Sequence, residues 1–333
     1  MDTKILIKTI DRLTKSPKGI LAIDESTKTC NSRFEKLGVP TTEEKRREYR
    51  ELLVTAKNIE KYISGYILFD ETIRQSTKDG KSFTSILKSK KIEIGIKVDK
   101  GTIDFGNIPG DKITEGLDGL SERLDEYKKM GATFAKWRGV FNIGEKTPTE
   151  EDMKTNAEVF SKYAKVCQEH DIVPIVEPEE LIDGNHSIEQ CYEVSAKNLK
   201  IVFSALKSAE VFIPGIILKT SMVIAGTDSQ KQSTPEEVAE ATIKCLKENV
   251  PDEIGAIVFL SGGQEDEEAT LNLNAMKKLG KLPWPLTFSY GRAIQNPALQ
   301  SWAKNPADFL TAQKLLVEAA KANNLANKGK YKK

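Results

Sequence analysis

The sequence predicts an α/β protein folded as a (β/α)8 barrel, with residues 1–333 forming a single domain. Three observations lead there. Eight short apolar runs recur, their starts roughly 30 to 45 residues apart. A polar segment of helical period separates most of them. No glycine-rich dinucleotide fingerprint follows the first run, which weakens the alternative of a doubly wound open sheet. Apolar strands that alternate with helices imply a parallel sheet covered on both faces. Eight such units, in a chain of 333 residues that is 39% hydrophobic, suit one closed barrel.

The chain opens with an amphipathic helix over residues 1–18, marked by Ile5, Leu6, Ile10 and Leu13. It has neither the apolar core and small-residue cleavage site of a signal peptide nor the composition of a transit peptide. The apolar runs are residues 19–26, 63–69, 93–100, 134–140, 172–178, 213–220, 254–263 and 285–292. Helical segments are expected over 42–58, 119–130, 150–170, 187–208, 234–249 and 264–279. Thr234 before Pro235 reads as an N-cap with proline at the first helical position. Thr147 before Pro148 gives a similar signal. A last amphipathic helix covers 306–324, and 326–333 reads as a polar, frayed tail. No apolar run approaches the roughly 20 residues of a membrane span. A cytoplasmic protein is the expectation.

With 50 basic and 49 acidic residues, the balance of charge gives no reason to expect a nucleic-acid or membrane partner. Cys30, Cys167, Cys191 and Cys245 are scattered, which suits free thiols in a reducing compartment. The two histidines, His170 and His186, offer no ligand spacing, so neither a metal nor a cofactor is expected.

Active sites of such barrels gather at the carboxyl ends of the strands. Those ends carry Asp24-Glu25-Ser26, Lys97-Val98-Asp99-Lys100, Lys136-Trp137-Arg138, Glu177-Pro178-Glu179, Lys219, Ser261-Gly262-Gly263 and Ser289-Tyr290-Gly291-Arg292. Lys219 ends the apolar run from Ile213, where desolvation favours the neutral amine that a Schiff-base nucleophile requires. Side chains two apart on a strand share a face, so Lys136 pairs with Arg138 and Glu177 with Glu179. If those faces point inward, cations and carboxylates meet in one mouth, and the carboxylates can supply acid–base steps for an imine. Ser261-Gly262-Gly263 and Gly291-Arg292 suit one phosphate. Lys100 and Arg138 suit a second, across the mouth. An amine between two phosphate sites suggests a phosphorylated keto sugar.

These residues resemble class I fructose-1,6-bisphosphate aldolase. The matching stretches include 19–26, 95–101, 116–120, 134–138, 175–179, 218–219, 259–264 and 287–292, in order along the chain. The resemblance implies that Lys219 forms the Schiff base with the ketose C2 carbonyl and that Glu177 is its acid and base. It implies that Lys136 stabilises charge, that Asp24 assists removal of the C4 hydroxyl proton, and that Glu179 holds Lys219 and Lys136 by hydrogen bonds. Ser261, Gly262, Gly291 and Arg292 would bind the C1 phosphate, with Lys100, Arg138 and Ser26 toward the C6 phosphate. It further implies a place in glycolysis and gluconeogenesis, sugar phosphates as the small-molecule partners, and a homotetramer.

Three features depart from the family pattern. The tyrosine that ends typical eukaryotic members has no counterpart before Lys333, which predicts slower enamine protonation or another proton donor. Lys28-Thr29 replaces the usual Gly-Ser, with Lys28 expected in solvent. Ser32 stands where lysine is common, while Arg33 is retained. The last two leave open a preference for fructose 1-phosphate or sedoheptulose 1,7-bisphosphate. A catalytically silent phosphosugar-binding protein is the reading from another class, and joint retention of Asp24, Lys136, Glu177 and Lys219 argues against it.

Overall fold

A computed structural model describes residues 1–332. Its strands are β1 (Gly19–Ile23), β2 (Ile63–Leu68), β3 (Glu93–Lys97), β4 (Gly101–Asp104), β5 (Lys112–Glu115), β6 (Phe134–Phe141), β7 (Val173–Glu180), β8 (Ile217–Thr220), β9 (Ala256–Phe259) and β10 (Leu286–Tyr290). Eight of them close into a parallel barrel in the order β1-β10-β9-β8-β7-β6-β3-β2. The (β/α)8 expectation is met, and each apolar run contributes one barrel strand.

Two apolar layers explain why the runs are continuous rather than alternating. Outward residues such as Trp137, Val176 and Leu218 pack under the surrounding helices. Inward residues form a smaller cluster that includes Ile20, Ala22, Ile67, Phe134, Ile175, Ile217 and Val258. The first helix, Thr3–Thr14, closes one end of that interior by adding Leu6, Ile10 and Leu13 to it. Phe134 fills so much of the interior that a Cβ on Gly95 would lie 2.2 Å from its ring. Glycine is therefore required there for space.

Several boundaries differ from the sequence expectation. The run from Ile213 begins as a 3-10 turn, Ile213–Gly215, and extends only over Ile217–Thr220. Pro214 has no N–H to give a ladder, which delays the strand. The cap of the helix Glu150–Glu169 is Thr149, whose Oγ1 accepts from the Asp152 amide at 3.1 Å, and not Thr147. Thr234 does cap its helix, with Glu237 completing a reciprocal capping box. The antiparallel hairpin of β4 and β5 was not anticipated.

The tail is not frayed over the described residues. The last helix runs Phe309–Ala326. Asn327 is buried, and its Nδ2 donates to Pro17 O at 3.1 Å and to Thr287 Oγ1 at 2.8 Å. The Tyr331 amide donates to Asn274 Oδ1 at 3.0 Å. Polar composition misled here because asparagine side chains satisfy backbone carbonyls that would otherwise be orphaned.

Candidate active site

The period-2 rule that fills the barrel also builds its mouth. On β6 the face carrying Phe134 continues to Lys136 and Arg138, and on β7 the face carrying Ile175 continues to Glu177 and Glu179. Ile217 precedes Lys219 in the same way on β8, and Ala22 precedes Asp24 beyond β1. The register sets Lys97 level with Lys136 and Arg138 level with Glu177. Apolar residues give way to ionisable ones where the strands end, so charge collects in a ring above a dry core.

Lys219 is 4% exposed, and its Nζ lies 2.9 Å from Glu177 Oε1. The other oxygen of Glu177 is 3.2 Å from Lys136 Nζ. Lys136, also buried, lies 2.8 Å from Asp24 Oδ2 and 3.9 Å from Asp99 Oδ2. One carboxylate thus bridges two amines, and a second anchors the far amine. Burial alone would raise the Asp24 carboxyl, but Lys136 and Lys219 outweigh it and hold it down to about 2. Burial opposes the Lys136 charge, and Asp24, Glu177 and Asp99 together raise its pKa well above the ordinary lysine value.

Glu179 occupies the same face, with a hydrogen-bond partner other than the lysines implied by resemblance. Its Oε2 accepts from Arg138 Nε, and its pKa is lowered against the effect of burial chiefly by that guanidinium. Its described hydrogen bond goes to neither Lys219 nor Lys136; Glu177 is the residue that touches both. Arg138 is held by the same pairing, with its side chain 40% exposed toward the mouth.

The phosphate candidates fall in two groups. Ser261 is buried, and Gly262 and Gly263 both adopt positive φ, at 50° and 94°. Gln264 N bonds back to Ser261 O at 2.9 Å, so the turn presents backbone amides, a common anion cradle. Gly291 is the N-cap of the helix Arg292–Lys304, whose amino end favours anions. Arg292 is exposed and near Gly263, whose Cβ would lie 3.6 Å from Nη2. Among the described residues it has no ion-pair partner.

In the second group, Ser26 is the N-cap of the helix Thr27–Glu35 and accepts from the Thr29 amide. Lys100 is exposed at the root of the β4–β5 hairpin. The cation from that strand that turns into the ring is Lys97, whose Nζ lies 2.5 Å from Asp99 Oδ1. The sequence places Lys97 and Asp99 among the strand-end residues but assigns a role only to Lys100, although their spacing from Gly95 puts both on the inward face. Lys28 and Ser32 are exposed. Arg33 is engaged by Glu25, Gln295 and Asn296.

All four cysteines are free and buried. Among the described residues no group of three or more His, Cys, Asp or Glu side chains is placed to hold a metal ion, and no helix is long and apolar enough to cross a membrane.

Comparison with known proteins places this arrangement. The family profile "Glycolytic: Fructose-bisphosphate aldolase class-I" matches residues 5–333. A protein of Xanthomonas campestris pv. campestris, described as a probable fructose-bisphosphate aldolase class 1, is 51% identical over 333 residues, all of both chains. The fructose-bisphosphate aldolase of Dictyostelium discoideum is 45% identical over 98% of this chain and 92% of its own. Among solved structures, the Plasmodium falciparum fructose-bisphosphate aldolase, crystallised with TRAP and a small-molecule inhibitor, superposes with a TM-score of 0.97. It is 44% identical and is covered over 96% of its length by 99% of this chain.

Proposed function

The chain belongs to the class I fructose-bisphosphate aldolases, a metal-independent class, and from that membership we propose that it works through a Schiff base on Lys219. The observation that carries the proposal is Lys219 itself, a buried amine 2.9 Å from a carboxylate that also holds a second buried amine.

The chemistry follows from the neighbours. Lys219 Nζ passes a proton to Glu177, 2.9 Å away, and the freed amine attacks the C2 carbonyl of fructose 1,6-bisphosphate to give a carbinolamine. Glu177 protonates the departing hydroxyl, water leaves, and a protonated imine remains. Asp24, ionised beside Lys136, assists removal of the C4 hydroxyl proton. The C3–C4 bond then breaks, and its electron pair moves into the iminium as an enamine. Glyceraldehyde 3-phosphate departs. Protonation of the enamine at C3 and hydrolysis of the imine release dihydroxyacetone phosphate and restore Lys219. The iminium is the electron sink, and Lys136 offsets negative charge as Glu177 cycles.

Phosphate binding completes the reading. Ser261, Gly262, Gly291 and Arg292 hold the C1 phosphate, while Ser26, Lys100 and Arg138 lie toward the C6 phosphate, joined by Lys97. Cytoplasmic glycolysis and gluconeogenesis are the proposed setting, supported by a cytosolic relative from Arabidopsis thaliana that is 47% identical. A homotetramer is proposed from family resemblance.

Borohydride reduction in the presence of dihydroxyacetone phosphate, followed by peptide mass mapping, tests the mechanism. The expected result is a reduced three-carbon phosphate adduct on Lys219, with cleavage activity lost in proportion. An adduct on any other lysine, with activity lost, would overturn the assignment.

A further inference from the structure

Outside the barrel mouth, the helix Leu120–Met130 carries Ser121 and Asp125 four residues apart, one turn of helix, on one face. His170, which follows the helix Glu150–Glu169, lies between them. Its Nδ1 is 2.8 Å from Asp125 Oδ1, and its Nε2 is 2.9 Å from Ser121 Oγ. An ionised carboxylate only accepts, so Nδ1 carries the hydrogen. In the neutral ring Nε2 is then an acceptor, and the Ser121 hydroxyl donates to it. The imidazole is fixed from behind as well. The His170 amide bonds to Cys167 O at 3.1 Å, and its carbonyl accepts from Lys128 Nζ at 2.7 Å. A nucleophile, a base and a group that orients the base thus stand in line, the relation by which such triads are recognised irrespective of fold.

The start of the same helix adds the complementary part. Gly119 is its N-cap, and no side chain caps it. Leu120 N bonds to Leu117 O, and Arg123 N is the first to reach back along the helix, to Gly119 O. The amides of Ser121 and Glu122 therefore have no acceptor within the helix, and both lie in the turn that bears the Ser121 hydroxyl. Such donors stabilise an oxyanion.

We propose that Ser121, His170 and Asp125 form a second reactive centre that accepts acyl groups from small activated esters and releases them to water. Ser121 Oγ attacks the ester carbonyl carbon while His170 Nε2 takes the hydroxyl proton. The tetrahedral oxyanion collapses, the bond to the alkoxy or aryloxy group breaks, and that group leaves with the proton from His170. Water then attacks the acyl-serine by the same route, giving the free acid and restoring Ser121. No redox partner is needed. Ser121 and Asp125 are exposed and the His170 side chain is 17% exposed, so the centre is open to solvent and takes the ester by collision. The rate therefore rises linearly with ester concentration.

The probe is p-nitrophenyl acetate, used with the full chain. Nitrophenolate release is followed optically, and acetylated peptides are mapped after acid quench. Wild type should carry acetyl-Ser121, which disappears when the ester is removed. His170→Gln should acetylate Ser121 about 100-fold more slowly, near the low end of what a positioned base contributes, and Asp125→Asn about tenfold more slowly. Ser121→Ala reports the background from lysines. Aldol cleavage should be unchanged in all three variants, since none of these residues lies in the barrel mouth. Absence of acetyl-Ser121 in wild type, or equal Ser121 acetylation in wild type and His170→Gln, would overturn the proposal. An acetyl group that persists on Ser121 would overturn its hydrolytic half.

Discussion

Replacing Lys136 by Met tests the electrostatic account of the mouth most directly. The substitution keeps most of the side-chain volume and removes the charge that faces Asp24 at 2.8 Å, Glu177 at 3.2 Å and Asp99 at 3.9 Å. Asp24 supplies a magnitude. Its pKa falls from 3.8 to about 2, although burial alone would raise it. Slightly under two pH units, at about 1.4 kcal/mol each, is about 2–3 kcal/mol of stabilisation of the ionised form. Lys136 is the largest favourable contributor, so most of this disappears in the variant. Adding the loss of one of the two amines that Glu177 meets, with Lys219 still at 2.9 Å, the expected loss of unfolding free energy at pH 7 is about 3–5 kcal/mol.

The pH dependence separates this from a simple packing loss. In wild type the folded pKa of Asp24 is depressed. Its contribution is fully present above the unfolded value near 3.8 and is lost as pH falls through about 2. In the variant nothing offsets burial of Asp24 to the same extent, so its carboxyl moves toward the protonated form. Keeping Asp24 ionised then costs more as pH rises. The gap between the two proteins should be widest at pH 8 and narrow toward pH 4.5. Urea unfolding followed by circular dichroism at pH 8, 6 and 4.5 measures it. A gap that does not change with pH, or a variant as stable as wild type at pH 8, would refute the reasoning.

Four further outcomes are expected. Arg138→Ala should raise KM for fructose 1,6-bisphosphate about 10- to 100-fold, as expected for loss of one charge-assisted hydrogen bond, with a smaller change in kcat by steady-state assay. Lys97→Met should raise KM clearly more than Lys100→Met, because Lys97 joins the inward ring and Lys100 is exposed; equal effects would return the role to Lys100. Gly95→Ala should destabilise the barrel by about 1–3 kcal/mol in urea titrations, because its Cβ would meet the Phe134 ring, and Phe134→Leu should recover part of that loss. Asn327→Ala should lower the thermal midpoint by an amount equivalent to about 1–3 kcal/mol, without changing kcat, because it removes two buried hydrogen bonds, one of the two that Pro17 O accepts and the one that Thr287 Oγ1 accepts.

The fold was legible because a closed parallel barrel buries both faces of every strand, which writes an apolar run into the sequence for each. The inward pairs were legible for a related reason, since period two carries Phe134 to Lys136 and Ile175 to Glu177 without any tertiary information. What sequence could not supply was which oppositely charged group each residue would meet. Glu177 and Glu179 are equivalent by pattern, yet one bridges two lysines and the other holds Arg138. Lys97 and Lys100 are both lysines at the end of one strand. Only the turn at Gly101, at φ 96°, decides which enters the ring and which begins a hairpin. The tail failed differently. Asn324 and Asn327 look like solvent residues until Pro17 O is brought beside them by the closure of the barrel.

The pairings also bear on how a doubly phosphorylated substrate is admitted. The ring holds four carboxylates, Asp24, Asp99, Glu177 and Glu179, against four cations, Lys97, Lys136, Arg138 and Lys219. The empty mouth is therefore close to neutral, and no fixed excess of positive charge awaits two phosphates that each bring about −1.5 to −2. On the second side the exposed Lys100 is the cation outside these pairs; on the first, the unpaired attraction comes from Arg292, the amides of the Ser261–Gly263 turn and the helix that starts after Gly291. The first phosphate has ready donors there. On the proposed phosphate assignment, the second would meet Arg138 only by drawing it from Glu179, a buried carboxylate whose ionised form that guanidinium chiefly supports. Binding at the far side of the mouth thus carries the cost of leaving Glu179 to find a new partner or a proton. The nearest amines are those of Lys219 and Lys136, which already act on it across the ring. A substrate with one phosphate leaves that exchange undone, so the Arg138–Glu179 pair is where discrimination between mono- and bisphosphorylated ketoses would be set.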